Sequence, residues 1–327
     1  MTAMTATDMS GMRAQKSGAA QAATPALYEI LDPRFRRYVL PNAALVTLAE
    51  GCAWLEGPVW FADHDCLLLS DIPNDRLLRW TETGGVTEYR KPAGFPNGNT
   101  RDRQGRLITC SHQHRCLLRT ELDGRITALA QRYAGKRLNS PNDVVCRSDG
   151  TLWFTDPPYG ISTDYEGGKQ CSELPAAVYC FDPKHGELIV VADDFEGPNG
   201  LAFSPDERLL YVAESGAQFA ADPTHHIRVF AVDGRRLTGG AVFHRISPGH
   251  ADGFRADQDG NLWCGAGDGV QCIAPDGTHL GTIKLPFTVS NLSFGGRHSS
   301  RLFACASHSL VAIYTNQRGA ASPIAEE

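Results

Sequence analysis

No run of this chain is apolar for the roughly 18 residues that a membrane-spanning helix needs, so a membrane is not an expected partner. No block of basic residues interleaved with aromatics occurs either. The 31 Lys and Arg are mixed with 37 Asp and Glu along the chain, which argues against nucleic acid as a partner. The ten cysteines, at 52, 66, 110, 116, 146, 171, 180, 264, 272 and 305, form no CxxC pair. Several stand inside apolar runs such as "LITC" and "LWCG", which reads as buried, reduced thiols in a cytoplasmic protein. The first 26 residues lack the apolar stretch of a secretory signal. They are small and polar, hold all four methionines within their first twelve positions, and are expected to form a disordered tail (1–26) ahead of one domain (27–327). Helical periodicity of any length is also missing.

What the chain has instead is a repeat. "EGPVWFADHDCLLLSD" from Glu56 is echoed by "NGNTRDRQGRLITCSH" from Asn97 and "NDVVCRSDGTLWFTD" from Asn142. It returns as "NGLAFSPDERLLYVAE" from Asn199, "DGFRADQDGNLWCGA" from Asp252 and "NLSFGGRHSSRLFACA" from Asn291. The anchors lie 41, 45, 57, 53 and 39 residues apart, and a leucine opens the second apolar run 10 or 11 residues past each anchor. The "RQG", "SDG" and "QDG" segments between the two runs are hairpin turns. Two further strand-like runs follow in each of the first five units. Four short strands at this period predict a propeller blade, and six units predict an all-β, six-bladed β-propeller. The sixth unit ends one strand short, while an unused strand, "ALVTLAEG", precedes the first anchor. The N-terminal strand is therefore expected to complete the last blade, which closes the ring and removes an open sheet edge.

The first strand of a blade lines the central channel, so the six anchors converge at one mouth. They read Glu56, Asn97, Asn142, Asn199, Asp252 and Asn291, every one with a side-chain oxygen. Two carboxylates confined together repel unless a cation lies between them. Hard oxygen donors without His or Cys favour one divalent cation, Ca2+ first, with Zn2+, Mn2+ and Mg2+ as alternatives. The loops from second to third strand open on the same face, and two are long: "DPPYGISTDYEGGKQCSELPA" from Asp156 and "ESGAQFAADPTHH" from Glu214. They are expected to wall or cover a pocket. Asp71 and Asp156 end second strands and read as turn caps; Trp60, Trp153 and Trp263 read as blade core.

Four motifs, in order, carry a family resemblance: "LEGPVWF", "LNSPNDVV…DGTLWFTDPPYG", "FEGPNGLAFSPDE" and "DGFRADQDGNLW". Over about residues 30–315 the chain resembles the SMP-30/gluconolactonase family, in particular its bacterial gluconolactonases. The resemblance implies a metal-dependent propeller that hydrolyses sugar lactones, with Glu56, Asn142, Asn199 and Asp252 as metal ligands and Asp252 also as the catalytic base. It leaves Asn97 and Asn291 as pocket or channel residues. Animal members carry an arginine two residues before the Asn of the ND motif, where this chain has Ser140. Sugar recognition is then expected from Asn97, Arg101, His112, Asp143 and Tyr159. Two other functions suit a propeller with such a mouth: metal-dependent phosphotriester hydrolysis, and a non-catalytic binding scaffold.

Overall fold

The computed structural model describes residues 26–216 and 225–320. The expected tail lies outside the described residues except for its last position. Six antiparallel sheets, five of four strands and one of five, form the blades along the chain. Their inner strands are Leu55–Phe61, Pro96–Arg101, Val144–Cys146, Pro198–Phe203, Phe254–Ala256 and Asn291–Gly295. Each inner strand packs against the next, and the sixth packs against the first, so the sheets form a closed six-bladed ring.

The closure is the expected one. Val46–Ala49 pairs antiparallel with Ser309–Tyr314, with Val46 opposite Ala312 and Thr47 opposite Val311, and supplies the outermost strand of the sixth blade. An N-terminal strand thus holds the C-terminal blade, and the ring cannot open without breaking this ladder. A second N-terminal strand, Tyr28–Ile30, adds a fifth strand to the fifth blade by pairing with His279–Lys284. The repeat gave no sign of it, because it lies outside the four-strand unit.

The hairpin turns follow their sequence chemistry. In "SDG", Gly150 takes φ +89° while the Asp149 carboxylate accepts from the Thr151 N–H at 2.9 Å. Asp102 and Asp257 cap the equivalent turns by accepting from the backbone of Arg106 and Asn261. Between blades the tryptophans join neighbouring sheets. Trp153 meets Phe203 edge-on at 5.5 Å, and Trp263 meets Phe294 at 5.9 Å. Both indoles are fully buried; each such ring takes some 150–250 Å² out of water, worth about 4–6 kcal/mol. Trp60 is half-buried and stacks on Phe303 of the sixth blade at 5.5 Å. All ten cysteines are free, and nine are buried; Cys171 is exposed.

Candidate metal centre and active site

The anchors reach the channel mouth through three local devices. The first is a bulge. The pairing of first and second strands shifts between Glu56 and Val59, between Pro96 and Asn99, and between Pro198 and Leu201. A bulge turns a side chain out of the regular alternation, and here it falls at Glu56, Asn97 and Asn199. The second is the glycine after an anchor, which lets the next blade approach. A Cβ on Gly57, already at φ +51°, would lie 2.2 Å from the carbonyl oxygen of Asn97. One on Gly253 would lie 2.0 Å from Cγ of Asn291. The third is the acid that ends the second strand. Asp71 accepts from the N–H of Ala53, Asp156 from that of Asn139, and Glu214 from those of Glu196 and Gly197. Each carboxylate fixes the loop entering the anchor of its own blade, so the turn-cap reading of Asp71 and Asp156 describes their place.

Asn142 is fixed by its own hairpin. Its N–H donates to the Thr155 carbonyl at 2.8 Å, and the Thr155 hydroxyl donates to the Asn199 carbonyl at 2.8 Å. One threonine thereby ties two adjacent anchors together.

Glu56, Asn97, Asn142, Asn199 and Asp252 line one cavity of about 390 Å³. Asn291 does not line it; its amide donates to the Glu56 carboxylate at 3.0 Å and orients it. The long loop after Asp156 forms a strap over the cavity, to which it contributes Tyr159, Ser162, Thr163, Tyr165 and Glu166. Ser215 and His250 also line the cavity, with Trp54, Ile72 and Ala251. Glu166, Tyr165 and His250 were not among the sequence candidates. The length of the loop marked the strap, but no spacing marked which of its residues would turn inward.

Of the five expected sugar contacts, Asn97 and Tyr159 lie on the cavity wall. The Tyr159 hydroxyl donates to the Gly197 carbonyl at 3.0 Å, bracing the entry to Asn199. The other three do not line the cavity. Arg101 sits at the far end of its strand, four residues past Asn97. There it binds Asp63 at 2.6 Å and lies over the Phe61 ring at 4.5 Å. It lines a second cavity, about 510 Å³, at the opposite mouth. Asp143 faces away from the first cavity, accepting from the Val144 N–H and pairing with Arg255 at 3.4 Å. Both residues precede the strand Val144–Cys146, and of the two only Asn142 lines the cavity. His112 is fully buried behind Asn97. Ser140, at the position where animal members carry an arginine, is also buried. Its hydroxyl donates to the Pro157 carbonyl at 2.6 Å and accepts from the Gly160 N–H at 3.0 Å, pinning the start of the strap.

The electrostatics fit a cation. Burial pushes the Glu56 carboxyl up to about 7, with the nearby Asp143 adding to the rise. Burial also pushes Asp252 well above the ordinary carboxylate range, helped by Glu56, Glu166 and Asp143; a hydrogen bond from Asn199 pulls the other way. Glu166 is raised by burial. Three acids thus resist ionising around one cavity, and a divalent cation would relieve all three. Among the described residues no three His, Cys, Asp or Glu side chains form a metal cluster. The donor set is two carboxylates and two amides, which suits a hard cation better than a thiophilic one.

Comparison with known proteins gives the family and the fold. A family model described as the SMP-30/Gluconolactonase/LRE-like region matches residues 54–308. A gluconolactonase of Zymomonas mobilis is 31% identical over 314 residues, covering 88% of this chain and 86% of that protein. The solved structure of a gluconolactonase from Xanthomonas campestris superposes with a TM-score of 0.82 at 37% identity, covering 88% of this chain and 94% of that one. A calcium-binding regucalcin from Agrobacterium tumefaciens shares the fold at a TM-score of 0.70 and 19% identity, over 87% of this chain and 98% of that one.

Proposed function

The chain belongs to the SMP-30/gluconolactonase/LRE-like family, and on that premise we propose that it is a metal-dependent hydrolase of sugar lactones such as glucono-1,5-lactone. The observation that carries this reading is the convergence of Glu56, Asn142, Asn199 and Asp252 on one walled cavity.

Those four side chains would hold the cation, Ca2+ by the hardness of the donors. When bound, the cation polarises the lactone carbonyl and offsets the charge that develops on its oxygen. The remaining work falls to the chain. Asp252 takes a proton from the attacking water at its carboxylate and delivers one to the ring oxygen as the lactone opens. Asn291 holds Glu56 in one rotamer, so that its carboxylate keeps facing the mouth. Tyr159 and Tyr165 of the strap reduce the access of bulk water to the reacting ester.

The test is hydrolysis of glucono-1,5-lactone by chelator-stripped protein, with and without Ca2+, corrected for spontaneous ring opening. Turnover well above background only with metal supports the reading. Asp252→Asn should then lower kcat more than it lowers Ca2+ affinity, whereas equal losses would leave Asp252 a ligand only. No turnover of any lactone by protein shown to bind Ca2+ would overturn the lactonase reading in favour of phosphotriesters.

A further inference from the structure

His112 has two hydrogen-bonding neighbours, and together they fix its chemistry. Its Nδ1 lies 2.9 Å from the backbone carbonyl oxygen of Glu166, and its Nε2 lies 3.2 Å from Nδ2 of Asn97. A carbonyl oxygen can only accept, so Nδ1 carries the proton. Burial lowers the pKa of the ring to about 4, so at neutral pH it carries that proton alone and Nε2 presents a lone pair. Asn97 must therefore offer its NH2 group to the ring. The reversed amide would set an oxygen against the lone pair. The amide oxygen Oδ1 is left on the other branch, buried, on a residue of the cavity wall, with no partner among the protein's atoms.

The strap is seated on the same ring. A Cβ on Gly160 would lie 2.2 Å from Cγ of His112, and one on Gly167 would lie 2.4 Å from the Gly160 carbonyl oxygen. Only glycine at both positions lets the strap come close enough for the Glu166 carbonyl to reach Nδ1.

We propose that His112 is a positioning residue: clamped by the Glu166 carbonyl of the strap, it turns the Asn97 amide so that Oδ1 accepts a hydrogen bond from a hydroxyl of the substrate. The proposal rests on the lactonase reading and deepens it. It makes Asn97 a determinant of selectivity for hydroxylated lactones over plain cyclic esters, because a buried acceptor left unpaired disfavours a ligand that brings no donor. His112 does not touch the substrate.

The experiment measures kcat/KM of the full, Ca2+-loaded chain for glucono-1,5-lactone and for δ-valerolactone, which has the ring but no hydroxyls. Ca2+ affinity is measured by calorimetry on the same samples. His112→Phe should lower the ratio of the two kcat/KM values by about 10- to 100-fold, with Ca2+ affinity unchanged. His112→Gln, whose side-chain carbonyl can accept from Asn97, should recover most of the ratio. Asn97→Ala should lose it, and adding His112→Phe to Asn97→Ala should cost nothing more. Equal losses on both lactones, an unchanged ratio, or a fall in Ca2+ affinity with His112→Phe would overturn the proposal. If His112→Phe does not fold, Asn97→Ala and His112→Gln decide on the same ratio. Wild-type protein that opens neither lactone overturns the lactonase reading, and the proposal with it. That outcome is distinct from an active wild type whose ratio ignores His112.

Discussion

His112 should contribute an acid-sensitive share of this protein's stability in a defined pH window. The ring is fully buried, and its pKa falls from the ordinary 6.5 to about 4 because burial disfavours the charged form. Between those values the unfolded chain binds a proton that the folded chain refuses. Stability from this group is complete above about pH 6.5 and drains away as the pH falls toward 4. At about 1.4 kcal/mol per pH unit, the loss between pH 7 and pH 4 is about 3 kcal/mol. The buried acids move the opposite way. Glu56 and Asp252, raised in the folded protein, favour it as the pH falls. The total curve therefore hides the histidine, and a comparison isolates it. Urea unfolding of metal-free wild type and His112→Gln, followed by tryptophan fluorescence at pH 7, 6, 5 and 4, should show a stability difference that shifts by about 3 kcal/mol in favour of the variant on acidification. The two unfolding curves keeping a constant separation across that range would refute the picture of His112 as a buried, neutral ring.

Other consequences follow from the same geometry. Arg101→Met should leave KM for the lactone within about twofold while lowering Tm, because its partners Asp63 and Phe61 lie at the mouth opposite the cavity; a large rise in KM would return Arg101 to the site. Gly253→Ala should weaken Ca2+ binding at least about tenfold, since the new methyl displaces Asn291 and with it the hydrogen bond that orients Glu56; calorimetry reads it directly. A thiol reagent should modify one cysteine of the native protein, Cys171, and all ten in denaturant; rapid native labelling of several would contradict the burial pattern. Removing the metal should destabilise the protein more at pH 8 than at pH 5, because Glu56, held up to about 7, then ionises beside Asp252, itself raised by burial, without a counter-charge; equal effects of chelator on Tm at the two values would argue against a cation among them.

The repeat, the blade count, the closure by "ALVTLAEG" and the meeting of five of the six anchors at one cavity were legible in the sequence. Each rests on a local regularity: alternation of apolar and polar residues, turn chemistry at Asp and Gly, and a spacing that one blade dictates to the next. The ring follows because a blade cannot bury its faces alone. What the sequence could not decide was which way a side chain turns at the crowded axis. Asp143 is the neighbour of Asn142 and yet faces Arg255, and Arg101 shares a strand with Asn97 and yet serves the other mouth. Glu166 reaches the cavity only because the strap folds back over His112, a contact across 54 residues with no periodic signature. Local pattern is written in neighbouring residues and survives in one dimension. The aim of a side chain into a shared channel depends on bulges, on glycines that admit the next blade, and on partners far along the chain, and these meet only once the ring has closed.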